Sequence, residues 1–297
     1  MVIDNKQRTK EISMTLVKAL SAAGLVLASQ LALAAGPARI ASFDHGSLDT
    51  LDALGLGGQV VAVPKQAMPA YLSAYAGADY TDAGGLRSAD LDALRAAGPS
   101  LILITGRQGD IKEQLAAIAP VRDVTLQGDD YWSALSAKVR TLAGDLGAAD
   151  QADAALAGLA QRLAELRDSV DGHPKVLVVT HNDGRFSLRQ EPVVTQLLQL
   201  DAPALPEGVE TVTNGTRSFT PLTPEQMARM QPAALLVVDR SAAIGNTPLD
   251  PATLRQALDQ AGGQDIRLGY LTPALWYLSG AGLQSVRLQA EEAVAAL

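Results

Sequence analysis

The sequence predicts an α/β protein of two similar lobes, each built on a mostly parallel sheet, joined by one long helix. The first of three observations behind this is an internal repeat. Asp92 to Pro99 runs into the apolar stretch Leu101 to Ile104 and then Arg107; Glu225 to Pro232 runs into Leu235 to Val238 and then Arg240. With Pro99 and Pro232 superimposed, an acid lies seven positions before and an arginine eight positions after in both copies. Each copy reads as a short helix, a proline break, a buried strand, and an arginine where the strand runs out. The second observation is that short β-rich apolar runs alternate with helical patterns on both sides of the middle, the rhythm of parallel sheets. The third is the middle itself. From Tyr131 to Val170 helical periodicity dominates, softened at Gly144 and Gly147. Leu156, Leu159, Leu163, Leu166 and Val170 follow at spacings of 3, 4, 3 and 4, one apolar face of a long helix.

In order, Arg39 to Phe43 reads as a strand, Leu48 to Leu54 as a helix stopped by Gly55, and Val60 to Val63 as a strand. Ser88 is the expected cap of a helix ending near Ala97. Leu101 to Thr105 is the next strand, Ile111 to Ala119 a helix, and Pro120 to Leu126 a further strand. Asp171-Gly172-His173-Pro174 ends the helical middle. Lys175 to Thr180 is then a strand, Val193 to Leu200 a helix, Ala234 to Val238 a strand, Leu254 to Ala261 a helix, Ile266 to Leu271 a strand, and Leu283 to Leu297 the closing helix. The expected division is an N-terminal lobe over 36–147, a connecting helix over 148–172 and a C-terminal lobe over 173–297. One stiff connection permits only small closure.

Residues 1–35 read as a secretory signal peptide. Lys6, Arg8, Lys10 and Lys18 precede the apolar run Ala19 to Ala35, which contains the small-x-small pattern Ala32-Leu33-Ala34. The expected location is the periplasm. At 297 residues and 47% hydrophobic, the chain can bury two cores. A net charge of -8 with no basic stripe argues against nucleic-acid binding. There is no cysteine, which excludes disulfides, thiolate metal sites and a cysteine nucleophile. The expected state is a monomer.

Open α/β sheets bind ligands beyond the carboxyl ends of their strands. Arg107 and Arg240 fall at such ends. Arg185 and Arg189 lie in the stretch after the strand ending at Thr180, and Arg217 lies in a loop-like segment. Together they make a local cationic pocket suited to an anion. Tyr277, after Pro273 and the buried candidate Trp276, can offer a hydroxyl or a ring face. Lys65 follows the second strand, and His45 and His181 each follow a strand. Three dispersed histidines do not make a zinc site, so no metal is expected. Gly55-Leu56-Gly57-Gly58 follows a helix and reads as its C-terminal stop. Gly280-Ala281-Gly282 lacks the third glycine of a dinucleotide loop, and there is no nucleophile elbow or phosphate loop. A binding protein without a cofactor is expected, not an enzyme.

Several segments recur in a familiar order: Phe43-Asp44, Gly46 to Gly55, Val63-Pro64-Lys65, Leu103 to Gln108, Val237 to Arg240, Ile244-Gly245-Asn246, and Pro273 with Trp276-Tyr277-Leu278, Gly280 and Gly282-Leu283. This set resembles the periplasmic iron-siderophore-binding proteins of ABC importers, in the branch that takes catecholate siderophores. The resemblance implies two Rossmann-like lobes, a ferric siderophore as ligand and an inner-membrane ABC permease as partner. It implies a triad of cleft arginines for a tri-anionic ferric catecholate. Arg107 and Arg240 match two of them; Arg189 or Arg185 serves as the third, with Arg189 preferred. Tyr277 matches a tyrosine that coordinates iron in some members, and the place of its partner histidine falls near Arg217-Ser218. Asp92 and Glu225 match the paired acids that dock on the permease. The alternatives are a cobalamin- or haem-binding protein of the same fold, or an exported α/β hydrolase. Several arginines favour an anionic ligand over neutral cobalamin.

Overall fold

In the computed structural model, which describes residues 37–215 and 217–297, the predicted alternation appears as two five-stranded sheets. The expected signal peptide lies outside the described residues. The first sheet takes β1 (Ile40–Ser42), β2 (Val60–Val63), β3 (Thr81–Asp82), β4 (Leu101–Ile104) and β5 (Val121–Asp123). Its order is β3-β2-β1-β4-β5, every pair parallel. Helices α1 (His45–Ala53), α2 (Leu91–Ala97) and α3 (Lys112–Ala116) connect its strands.

Two helices follow, α4 (Tyr131–Asp145) and α5 (Ala149–Asp168), separated where Gly147 turns at φ +71°. The second sheet takes β6 (Val176–Asn182), β7 (Arg185–Leu188), β10 (Pro221–Leu222), β11 (Ala234–Asp239) and β12 (Arg267–Leu271), in the order β10-β7-β6-β11-β12. Strands β6, β11 and β12 are parallel, while β7 is antiparallel to both β6 and β10. A separate hairpin pairs β8 (Val212–Asn214) with β9 (Arg217–Phe219). Helices α6 (Pro224–Arg229), α7 (Arg240–Ala243), α8 (Pro251–Gln260), α9 (Pro273–Tyr277) and α10 (Leu283–Ala295) complete the chain.

The repeat seen in the sequence is real in three dimensions. Helices α2 and α6 leave through left-handed residues before the prolines, Gly98 at φ +57° and Gln231 at φ +48°. Each feeds the strand that lies beside the first strand of its sheet, β4 next to β1 and β11 next to β6. The cap of α2 is Asp90, whose carboxylate accepts from the N–H groups of Asp92 and Ala93, so the expected cap Ser88 is displaced by two residues. The expected helix over 193–200 is a single π-turn, Val193–Leu197.

Each sheet buries its own core on one side. Phe43, Leu94, Ile102 and Leu115 belong to the first; Leu177, Met227, Leu235 and Leu258 belong to the second. A third core is shared. The leucine face of α5 (Leu156, Leu159, Leu163, Leu166) meets Leu54 and Leu135 from one side and Val178, Val238 and Val286 from the other. The periodicity of the middle segment therefore marks a helix packed along both lobes.

The lobes also touch backbone to backbone. A Cβ added at Gly46 would meet the Gly280 carbonyl at 1.9 Å, and one at Gly282 would meet the Gly46 carbonyl at 2.3 Å. Only glycine allows this approach. It brings Asp49 of α1 onto the start of α10. The Asp49 carboxylate accepts from Gln284 N–H at 2.8 Å and Ser285 N–H at 2.7 Å.

Candidate functional site

Strands of both sheets end at a cleft of about 1230 Å³. Among the described residues, its cations are Arg87, Arg107, Arg185 and Arg240, and no aspartate or glutamate lines it. Among the described residues, none of these four arginines forms an ion pair. In a chain of net charge -8, a cluster of unpaired guanidiniums is a stored positive potential.

Each arginine is placed by its local sequence. Thr105 leaves β4 extended and caps the 3-10 turn Gly106–Ile111 that carries Arg107. Gln108 of the same turn is buried. Its side-chain oxygen accepts from Thr105 N–H at 2.9 Å, and its amide donates to the Leu86 carbonyl at 2.6 Å. The Gly-Arg-Gln motif thus ties the Arg107 turn to the loop that holds Arg87. Burial holds the Arg107 pKa below its ordinary value, Arg87 adds repulsion, and Tyr277 and Asp44 oppose them. Arginine stays charged at neutral pH regardless.

Asp239 caps α7 by accepting from Ala242 N–H, which puts Arg240 at the first position of that helix. Arg240 donates from Nε to the Tyr277 hydroxyl at 2.6 Å, donates to the side-chain oxygen of Asn182, and lies over the Tyr277 ring at 5.4 Å. Its guanidinium is oriented by two neutral groups, so its charge stays available to a ligand. Arg107 reaches across the floor toward the Tyr277 carbonyl at 3.5 Å.

The expected triad needs one correction. Arg189 is not in the cleft: it pairs with Glu191 at 2.7 Å and donates to the Trp276 carbonyl at 3.0 Å. The reason is a hairpin, in which β7 runs back antiparallel to β6. Asp183 and Gly184 both take positive φ, +48° and +74°, the two-residue turn that reverses a strand. Arg185 therefore stays at the carboxyl end of the sheet. Four residues of returning strand, about 13 Å, carry Arg189 back to bond opposite Val178. The Asp-Gly dipeptide was the available signal. Arg87 was missed because only the two-residue β3 precedes its loop, too short to read as a strand.

Two other expected ligand residues also lie elsewhere. Lys65 donates from Nζ to the Gly77 carbonyl at 2.7 Å and does not line the cleft. His45 is buried at 1% exposure as the first residue of α1. Its pKa is held below the usual histidine value chiefly by burial, with Arg107 adding to that and Asp44 opposing it. The carbonyls of Pro64 and Leu278 favour its charged form weakly, but neither makes a hydrogen bond of normal geometry with the ring. His181 is structural. Gly184 N–H donates to Nε2 at 3.0 Å, so Nδ1 carries the proton that Asp239 accepts at 2.8 Å. Arg217 opens β9 and its side chain lies outside the described part, while its neighbours Ser218 and Phe219 line the cleft. Trp276 is buried, its indole donating to Glu292 at 2.5 Å. Asp92 and Glu225 are the second residues of α2 and α6, and both are exposed.

The sequence is 29% identical over 267 residues to the petrobactin-binding protein YclQ of Bacillus subtilis, covering 86% of this chain and 81% of that one. It is 24% identical over 278 residues to the ferric-anguibactin-binding protein FatB of Vibrio anguillarum, covering 87% and 82%. The fold superposes on the crystal structure of YclQ with a TM-score of 0.75 at 27% identity, covering 88% of this chain and 92% of that one. The iron-uptake ABC transporter substrate-binding protein PiuA of Streptococcus pneumoniae superposes with a TM-score of 0.73 at 28% identity, covering 88% and 93%. Residues 40–257 match the family described as periplasmic binding protein, a span that holds both sheets up to β11 and all four cleft arginines, and the chain belongs to that family.

Proposed function

We propose that this protein captures a ferric siderophore of the catecholate type in the cleft between its two lobes and delivers it to an ABC permease. It acts as a monomer in the periplasm and is a binding protein, not an enzyme. The observation that carries this reading is the set of four unpaired arginines with no acid among them. A ferric tris-catecholate is a compact trianion, and guanidiniums are weakly hydrated donors suited to its oxygens. YclQ, FatB and PiuA, by their names, serve petrobactin, ferric anguibactin and iron uptake, which supports the same reading. A neutral corrin ligand would leave the arginines unmatched. Arg107, Arg185, Arg240 and Arg87 hold the charge in this proposal, and Tyr277 orients Arg240.

Trp276, buried and next to Tyr277 in the chain, is the expected fluorescent reporter of occupancy. Titrating the mature protein with a ferric tris-catecholate, a neutral ferric hydroxamate and the iron-free ligands should give quenching with the catecholate complex at least about tenfold tighter than with the hydroxamate. That margin corresponds to one charge-assisted hydrogen bond. A preference for the neutral complex would overturn the anion-pocket reading.

In the same proposal Asp92 and Glu225 meet cations of the permease. They occupy equivalent exposed first-turn positions on equivalent helices, where an acid is favoured by the helix dipole. Asp92 already pairs with Arg95 at 2.7 Å, a surface contact of little worth. Thr223 keeps the Glu225 pKa below the usual carboxylate value, so it is charged at neutral pH. Asp92→Arg with Glu225→Arg is expected to leave siderophore affinity unchanged and to impair uptake in cells. Normal growth of the double variant under iron limitation would remove the docking role.

A further inference from the structure

The arginines account for the charge of the cleft but not for its apolar side. Two of the most exposed large hydrophobic side chains among the described residues, Phe219 at 43% and Ile244 at 37%, line it. Ile244 follows Arg240 by four residues, one turn along and just past α7, which places it on the same side as the guanidinium. Phe219 ends β9 directly opposite Val212, so both lie on one face of the hairpin, and Val212 is itself 45% exposed. The hairpin belongs to neither five-stranded sheet. Hydroxyl pairs link its two sides, Thr213 with Ser218 at 3.0 Å and Thr211 with Thr220 at 2.8 Å. The other phenylalanine of the cleft wall, Phe186, is already packed on the His181 ring at 5.3 Å. Phe219 is thus an aromatic side chain on the wall of a cationic cleft that remains 43% exposed. With Ile244 in the same cleft it gives the site an apolar surface whose burial by a ligand would be favourable.

We infer that Phe219, with Ile244 beside Arg240, is the element that recognises an aromatic ring of the ligand. An aryl chelate presents anionic oxygens at the metal and apolar ring faces around it. The oxygens meet Arg240 and its fellows, while a ring packs on Phe219 in an offset or edge-to-face arrangement. The cleft then selects aryl-bearing anionic ferric complexes over aliphatic ones of similar charge. This inference rests on the siderophore reading above and specifies its substrate class.

The test is calorimetric titration of the wild type, Phe219→Ala, Phe219→Leu and Phe219→Tyr with a ferric tris-catecholate, at low and high salt, and of the wild type with ferric citrate as an aliphatic anionic complex. Phe219→Ala is expected to weaken catecholate binding about tenfold, and Phe219→Tyr to stay within about threefold of the wild type, since the ring is kept. The salt dependence should be the same in both, because no charge is removed. Ferric citrate should bind the wild type at least about tenfold more weakly than the catecholate. Wild-type-like affinity in Phe219→Ala or Phe219→Leu, or equal binding of citrate and catecholate, would overturn the inference while leaving the siderophore reading intact. A wild type that binds no ferric complex would bring down the siderophore reading and this inference together.

Discussion

Arg240→Ala lowers affinity for a ferric tris-catecholate by about 1.5–3 kcal/mol, the worth of a hydrogen bond made by a charged donor. The full amount is expected because the guanidinium is already aimed by Tyr277 and Asn182, so the ligand has no side-chain ordering to oppose it. Affinity should also become less salt-dependent, since one of the cleft cations is gone. Tyr277→Phe removes only one of the two acceptors that orient Arg240 and should cost about 1 kcal/mol. Arg185→Ala should cost less than Arg240→Ala, because Arg185 is exposed and its side chain must be ordered when the ligand binds. Arg189→Ala should instead leave affinity alone and reduce stability, because it strands Glu191, which is 6% exposed, without its partner. Titration of the four variants beside chemical denaturation separates these outcomes. Loss of binding in Arg189→Ala at unchanged stability would restore the triad expected from the sequence and contradict the cleft described above.

What could be read from the sequence followed from periodicity and from punctuation. The leucines of α5 and the two proline-strand-arginine copies repeat at regular spacings, so the two sheets, the long helix and the strand-end positions of Arg107 and Arg240 were legible. The third arginine was not, because its place depends on whether the chain after Thr180 runs on or turns back. One dipeptide, Asp183-Gly184, decides that, and it moves Arg189 from one end of a strand to the other. Lys65 illustrates a different limit: a lysine after a strand has several carbonyls within reach, and the choice of Gly77 depends on the loop's path. Gly46, Gly280 and Gly282 were visible as residues of the resemblance, but their purpose was not. They make room for a contact between segments more than two hundred positions apart, which no local pattern encodes.

That contact gives Asp49→Ala the largest expected effect on stability. Asp49 is fully buried. Its two oxygens accept the Gln284 and Ser285 N–H groups in the first turn of α10, and the Tyr71 hydroxyl donates to it at 3.2 Å. The alanine variant leaves those buried backbone donors unpaired, at a cost of about 3 kcal/mol or more, and loosens the seam where α1 meets α10. The cost should depend on pH, and the direction can be worked out. Burial pushes the Asp49 pKa up to about 6, against the pull of its hydrogen bonds to Ser285, Gln284 and Tyr71. The unfolded chain releases this proton near the ordinary carboxylate pKa of about 4. Between those values the folded state holds the proton and the unfolded state does not, so the stability Asp49 contributes falls as pH rises through about 4 to 6 and is level above that. Urea denaturation of wild type and Asp49→Ala at pH 4.5 and 7.5 should therefore give a larger difference at the acid value. A larger difference at pH 7.5 would mean that the hydrogen bonds, and not burial, set the charge state of this carboxylate.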